Sequence, residues 1–477
     1  MTDANPIDRH DLLIELGCEE LPPKALDAIR EAFFAAVCDG LERHSLDFSR
    51  DDSRPYSTPR RIALLIASLA ERQPDQVLER RGPAVAAAFD DDGQPTAAAL
   101  GFARSVGKDV KALETVKTDK GEWLFCRVEQ AGQTLDDVLY DILEQAIRQL
   151  PVPRPMRWGD NDFSFVRPAH WLIVLHGNRV VDGRLLGLAA GRTTRGHRIH
   201  SPGPHDVATP SDYVPLLEKA CVRVQHESRS ETIRQALLDT DEYVLIDDSL
   251  LAEVTNLVEW PVPVACSFDV EFLEIPHAAL IASMQDHQKF FPVRDTADAA
   301  RVSHRFLAIS NLESRDPEQV RQGYERVIRP RLADARFFFE QDLKKPLEAS
   351  LPLLDRVVFQ QKIGTVGDKS RRMSAISSFI AEELKIESAP CERAGLLAKC
   401  DLLSQMVGVF PELQGVMGRH YSIASGEPKS VAVAIAEHYA QRVAGDDIHS
   451  SPTGQVVCLA DRADTLIGVF AAGLKPS

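Results

Sequence analysis

Two adjacent glutamates, Glu19 and Glu20, stand between an apolar run and a pair of prolines in ELGCEELPP, residues 15–23. A carboxylate pair with split pKa values is a common arrangement for general acid–base chemistry. Such work needs both groups to converge on one bond, and neighbours in an extended segment point to opposite faces. The same residues also read as a joint. Pro22 and Pro23 suit the first turn of a helix, where a missing N–H leaves nothing unpaired, and negative charge ahead of a helix N-terminus is favoured by about 0.3–1 kcal/mol. The joint is the simpler reading.

Arginine beside aromatic or small residues marks the other chemistry-bearing stretches. TPRRIAL (58–64) places Arg60 and Arg61 at the mouth of a strand. MRWGDNDFSFVRP (156–168) sets Arg157 and Arg167 around Trp158, Phe163 and Phe165. That composition can stack on bases and clamp phosphates, or close a core edge by cation–π contact. RTTRGHRIH (192–200) would put Arg192 and Arg198 on one strand face and Arg195 with His197 on the other. Phosphate contact and a solvated basic hairpin both fit it. RVIRPRLADARFFFEQD (326–342) aligns Arg326, Arg329 and Arg336 on a helical stripe broken by Pro330. It reads either as an anion-binding edge or as a salt-bridge network with Asp334 and Glu340.

Metal chemistry is suggested by KCDLLSQMV (399–407), EHY (437–439) and LADRADTL (459–466). The helical HD phosphohydrolases place His-Asp in one helix with further His and Asp ligands elsewhere. Here Cys400 precedes Asp401, and His438, Asp461 and Asp464 follow. Hard divalent ions prefer oxygen and imidazole, so Cys400 weakens such a site. No GxxxxGK[ST], strand-flanked GxGxxG or GxSxG occurs, so no recognisable motif would bind ATP.

The elements that must position these residues follow from periodicity. Residues 11–18, 61–69 and 121–129 read as strands, 24–42 as a helix, and Thr134 to Asp137 as a cap opening a helix to about Leu150. PVPRP (151–155) is a stiff connector. Residues 170–190 alternate short strands with Gly-Asn and Asp-Gly turns, which predicts hairpins. Pro261 and Pro263 interrupt a strand within 256–268. From about 317 the pattern is helical, through 353–385, 391–410, 429–443 and 454–471. There is no repeat, heptad run or low-complexity segment.

A chain of 477 residues supports two to four domains. The eight cysteines are scattered without CxxC spacing, mostly in apolar runs, as in reduced cytoplasmic proteins. A net charge of −16 argues against general nucleic-acid affinity. Locally it misleads, because 183–204 holds four arginines and two histidines but no acid.

Taken in order, ELGCEELPPKAL, YSTPRRIALLIA, RRGPAVAAAFDDDGQPTAAALGFARS, PMRWGDNDFSFVRPAHW, RGHRIHSP, LVEWPV, MQDHQKFFPV, SNLESRDP, ERVIRPRLADARFFFEQD and GVMGRHYS resemble the beta subunit of the bacterial tetrameric glycyl-tRNA synthetase. The resemblance implies a tRNA-binding, non-catalytic subunit. A separate alpha subunit would use ATP and magnesium to activate glycine, in an α2β2 assembly acting on tRNA(Gly). No catalytic residue, metal or cofactor is then expected on this chain. It further implies a multidomain α/β plus all-α fold: an N-terminal α/β region (1–154), a B3/B4-like α/β region (155–324) and a degenerate helical HD-like domain (325–477). Arg60, Arg61, Arg157, Arg167, Arg195, Arg198, Arg329 and Arg331 are the expected tRNA contacts. Family members continue into a C-terminal anticodon-binding domain, and the chain is expected to stop before it. The alternatives are a metal-dependent HD-type phosphohydrolase, which needs Asp401, His438 and Asp464 to converge on a metal, a hydrolytic editing module, and a pure scaffold that binds only the alpha subunit.

Overall fold

A computed structural model describes residues 7–90, 93–118, 121–152, 154–296, 301–439 and 451–474. The chain divides into two compact units, Met1–Glu231 with Glu253–Trp260, and Thr232–Ala252 with Pro261–Ser477.

The first unit is built on β1 (Arg9–Cys18), α1 (Pro23–Arg43), β2 (Ser49–Thr58) and β3 (Arg61–Ala70). A separate antiparallel sheet follows, from β4 (Gln76–Ala84), β5 (Glu114–Thr118) and β6 (Gly121–Gln130) in the order β4-β6-β5. Then come α2 (Leu135–Arg148), β7 (Ala169–His176) and β8 (Arg179–Val180). Two small hairpins complete the set, β9 (Arg184–Leu185) with β10 (Leu188–Ala189), and β11 (Thr193–Arg195) with β12 (Pro204–Asp206). The main sheet has five strands in the order β2-β3-β1-β7-β8, with β1 at its centre and antiparallel to both neighbours.

Because strand side chains alternate, β1 serves two cores. Leu12, Ile14 and Leu16 pack with Leu26, Ile29 and Phe33 of α1 and Leu139, Ile142 and Leu143 of α2. Leu13 faces the other way, with Ala63, Trp171, Ile173, Tyr213 and Leu217. The predicted start of α1 holds: Pro22 is its N-cap and Pro23 opens its first turn. So does the cap of α2, where the Thr134 backbone N–H and hydroxyl both donate to the Asp137 carboxylate (2.9 and 2.6 Å). The helices approach closely at Gly40, where a Cβ would lie 2.4 Å from a methyl group of Ile142.

The second unit has a three-stranded antiparallel sheet, β13 (Val262–Ser267), β14 (Phe291–Arg294) and β15 (Val302–Ser310), in the order β13-β15-β14. Its helices include α3 (Pro317–Asp342), α4 (Val366–Glu383), α5 (Ser388–Leu397), α6 (Val416–Ala424), α7 (Lys429–Glu437) and α8 (Pro452–Ala471). One apolar core joins the sheet to these helices. The helix expected over 353–385 is split by a two-strand ribbon at 358–365. Residues 440–443, the end of another expected helix, lie outside the described residues, as does Pro153 of the connector.

The expected boundaries fall elsewhere. Residue 154 lies between strands of one sheet, since β7 pairs with β1 across the PVPRP connector. Residue 324 lies inside α3. Nor does Pro330 break that helix: Ile328, Leu332 and Ala335 are buried on either side of it, and their packing holds the helix together where a backbone hydrogen bond is missing. No helix among the described residues is long and apolar enough to cross a membrane.

Gly40→Val should overpack the α1–α2 contact and cost about 1–3 kcal/mol, read as a lower urea midpoint. Adding Ile142→Ala should recover part of the loss.

Candidate nucleic-acid interface

The end of β1 explains the ELGCEELPP stretch. Beyond Gly17 the backbone is stitched to its neighbours: Cys18 N–H donates to the Arg60 carbonyl (2.9 Å), Glu19 N–H to that of Pro168 (2.9 Å) and Leu21 N–H to that of Pro59 (2.6 Å). The joint thus fixes the β2–β3 turn, which carries Arg60 and Arg61, against the start of β7, which carries Arg167, His170 and Trp171. Glu19 and Glu20 are not a converging acid pair. Glu19 meets His170 Nε2 at 2.9 Å, and Arg198 reaches Glu19 and Glu20 at 3.6 and 3.8 Å.

Glu15, the one carboxylate inside the apolar part of β1, lies on the sheet face that carries Leu13 and is fully buried. It accepts from Trp171 Nε1, from the Thr194 hydroxyl (2.7 Å) and from Arg61 Nη1 (3.4 Å). Arg61 is also fully buried and donates to Thr194 (3.0 Å), to the Arg195 carbonyl (2.8 Å) and to Glu259 (3.3 Å). Thr58 donates to the same Glu259 carboxylate (2.7 Å). Burial alone would lower the pKa of Arg61, but Glu259 and Glu15 reverse that effect and raise it. Arg61 therefore cannot be an RNA contact. Its guanidinium is used up inside the unit, and its neighbour Arg60 takes the outward position.

Around this network the structure brings four of the expected arginines together. The indole of Trp171 lies flat over Gly17, where a Cβ would sit 1.8 Å from the ring. The guanidinium carbons of Arg60, Arg61 and Arg195 are 5.9, 5.6 and 5.7 Å from its centroid. Arg195 is exposed, and no carboxylate pairs with it among the described residues. Arg60 is half-buried, its Nε is buried without a hydrogen-bond partner, and burial lowers its pKa. Exposed Arg198 completes the group through the Glu19–Glu20 pair. Glu259 and Glu19 act on Arg60 from a distance, but neither guanidinium forms an ion pair among the described residues, so the two arginines on one ring could take an anion such as phosphate, whose geometry arginine matches.

The other four candidates are dispersed. Arg167 donates to the Val166 carbonyl (2.7 Å), and Arg157 to Asp162 (3.1 Å). Arg329 and Arg331 belong to the second unit, both exposed on α3, with Arg329 paired to Asp269 at 2.8 Å. On the same helix Arg336 bonds Glu340 (2.9 Å), as the salt-bridge reading expects, and it also bonds Glu271 (3.0 Å) but not Asp334.

The HD-like residues Asp401, His438 and Asp464 do not converge on one metal position among the described residues. Asp401 accepts the N–H groups of Gly415 and Gly418. Asp464 is held by Arg372 and by Lys369 (3.2 Å). Asp461 lies 2.6 Å from Lys369 and 2.8 Å from Lys399. Lys399 also meets His438 Nε2 at 2.9 Å. Two buried ammonium groups thus balance the acids. Cys400 is a packed thiol that burial pushes up to about 12, far from a thiolate ligand. Among the described residues no group of three or more His, Cys, Asp or Glu is arranged to hold a metal.

The glycyl-tRNA synthetase beta subunit family matches residues 12–477. The chain is 47% identical over 470 residues to the glycine–tRNA ligase beta subunit of Chromohalobacter salexigens, covering 98% of this chain and 68% of that protein. For the same-named protein of Alteromonas mediterranea the figures are 46% over 468 residues, 97% and 67%. For that of Coxiella burnetii they are 44% over 471 residues, 98% and 68%.

Two predictions follow from the buried charges. Arg61→Leu leaves Glu15 and Glu259 without their shared cation and should cost about 3–5 kcal/mol, measured by urea unfolding. In the second unit, burial and then Lys399 push His438 down to about 3, while burial pushes Asp401 up to about 6. Between pH of about 4 and 6, unfolding makes His438 take up a proton and Asp401 release one. Rising pH therefore gains stability through the first and loses it through the second. Asp401→Asn removes the opposing slope, so its stability should rise relative to wild type by about 1.4 kcal/mol per pH unit in that window, and His438→Gln should fall by a similar amount. Unfolding midpoints at three pH values decide it.

Proposed function

Given that the chain belongs to the glycyl-tRNA synthetase beta subunit family, we propose that it supplies a tRNA-engaging surface to a glycine–tRNA ligase whose amino-acid-activating centre lies on a separate alpha subunit. In this reading glycine, ATP and magnesium belong to the alpha subunit, the assembly is α2β2, and tRNA(Gly) is the ligand of this chain. The observation that carries it is the convergence of Arg60 and Arg195 on Trp171: Arg195 is exposed with no carboxylate partner among the described residues, and Arg60 lies half-buried on the same ring with a buried Nε that has no hydrogen-bond partner. Arg198 is the reserve cation: its carboxylate contacts are long and exposed, and such surface pairs contribute only about 0–1 kcal/mol. A phosphate can take it from Glu19 and Glu20 at small cost. The negative total charge then serves selectivity, since attraction is confined to a local patch.

The experiment is tRNA(Gly) binding as a function of salt. Arg60→Ala and Arg195→Ala should each weaken binding and reduce the slope of log affinity against log salt by about one. Wild-type affinity and slope in both variants would reject the assignment. With the alpha subunit present, the same variants should lower charging of tRNA at subsaturating RNA.

A further inference from the structure

A cavity of the first unit is lined by none of the residues of the Trp171 cluster. It is a cleft of about 770 Å³ bounded by the end of α2, by Leu150, Val152, Pro155 and residues 162–165, and by the β9–β10 hairpin. Its floor is apolar, with Leu150, Phe165 and Leu185 all buried. One wall is the ring of Phe163, set edge-on to Trp158 with centroids 5.2 Å apart. Two features mark the cleft as more than a packing defect.

The first is conformational. The hairpin turns through Leu186 and Gly187, both left-handed (φ +50° and +77°). Glycine or asparagine is the usual residue at such positions, and a branched apolar side chain there is strained. Leu186 nevertheless keeps its side chain in the lining of the cleft. Strain of this kind is retained where the side chain is needed. The second is electrostatic. Of the charged residues on the rim, Arg148 is paired with Glu144 (3.2 Å) and Asp162 with Arg157 (3.1 Å). Arg184 is exposed and donates only to the Gly187 carbonyl (3.2 Å) among the described residues.

An apolar floor, an aromatic wall and one uncompensated guanidinium at the mouth match a planar heterocycle carrying a phosphate. We propose that this cleft binds a nucleoside monophosphate unit, with the base against Phe163 and the phosphate on Arg184. The unit has two sources, a nucleotide unstacked from bound RNA or a free nucleotide. The RNA source rests on the tRNA-binding reading above.

The test uses the whole chain with two variants, Phe163→Ala and the surface change Arg184→Ala, each checked for an unchanged unfolding midpoint. Saturation-transfer NMR with CMP and AMP should show transfer to the base protons in wild type and its loss in both variants. If tRNA(Gly) suppresses the mononucleotide signal and each variant weakens tRNA binding by about tenfold or more, the site takes a nucleotide of the RNA. If the signal persists under saturating tRNA and tRNA affinity is unchanged, the site takes free nucleotide. No mononucleotide signal together with wild-type tRNA affinity in both variants overturns the proposal. The tRNA reading is judged apart from this, by whether Arg60→Ala and Arg195→Ala weaken binding.

Discussion

Arg61 is held between Glu15 and Glu259, out of water, and the first unit is arranged around that fact. A guanidinium in such a place is tolerated only when each donor finds an acceptor. Meeting that demand fixes the ends of β1, β2 and β3, the Thr194–Arg195 strand and the Glu259 segment relative to one another. Trp171 is drawn in because its indole N–H donates to the same Glu15. The outward residues Arg60 and Arg195 are then placed by the inward one, since each is tied to this network through its own backbone or its immediate chain neighbour. Rigidity at the site comes from behind it.

How much of this the sequence discloses depends on the range of each interaction. β1, β3, α1 and α2 are legible because their apolar periodicity is local and strong, and the Thr134–Asp137 cap is a contact of three residues' reach. β2 is not, because SRDDSRPYST is polar and contains Pro55; it is the edge strand of the sheet, where a proline and charged residues are tolerated and discourage further pairing. A proline-rich connector does not say where the chain goes next, and here the strand after it pairs with β1 of the sheet that precedes it. A domain boundary is a statement about contacts far apart in sequence, which composition does not encode.

The same limit governs the site. Neighbours in sequence mark eight arginines alike, and they do not separate Arg60 from Arg61. Strand alternation predicts that one of the two turns inward, but naming which one needs the pairing of Gly17 with Arg61. Glu15 carried a readable signal, a lone carboxylate breaking the Leu12–Ile14 run. Its partners lie at positions 61, 171 and 194, so the break was visible and its reason was not. The HD-like residues show the converse. His438, Asp401 and Asp464 look like ligands when written in a row, and Lys369 and Lys399, which decide the chemistry, belong to no metal motif.

Those two lysines have a consequence for how the helical unit holds together. A bound metal ion is a separate component: it dissociates, it competes with other ions, and its occupancy follows supply. An ammonium on a side chain is a counter-ion covalently attached to the fold. Its local concentration is set by the backbone, it is present as soon as α4, α5 and α8 dock, and neither chelation nor starvation removes it. The charge balance at Asp461 and Asp464 is inherited with the sequence.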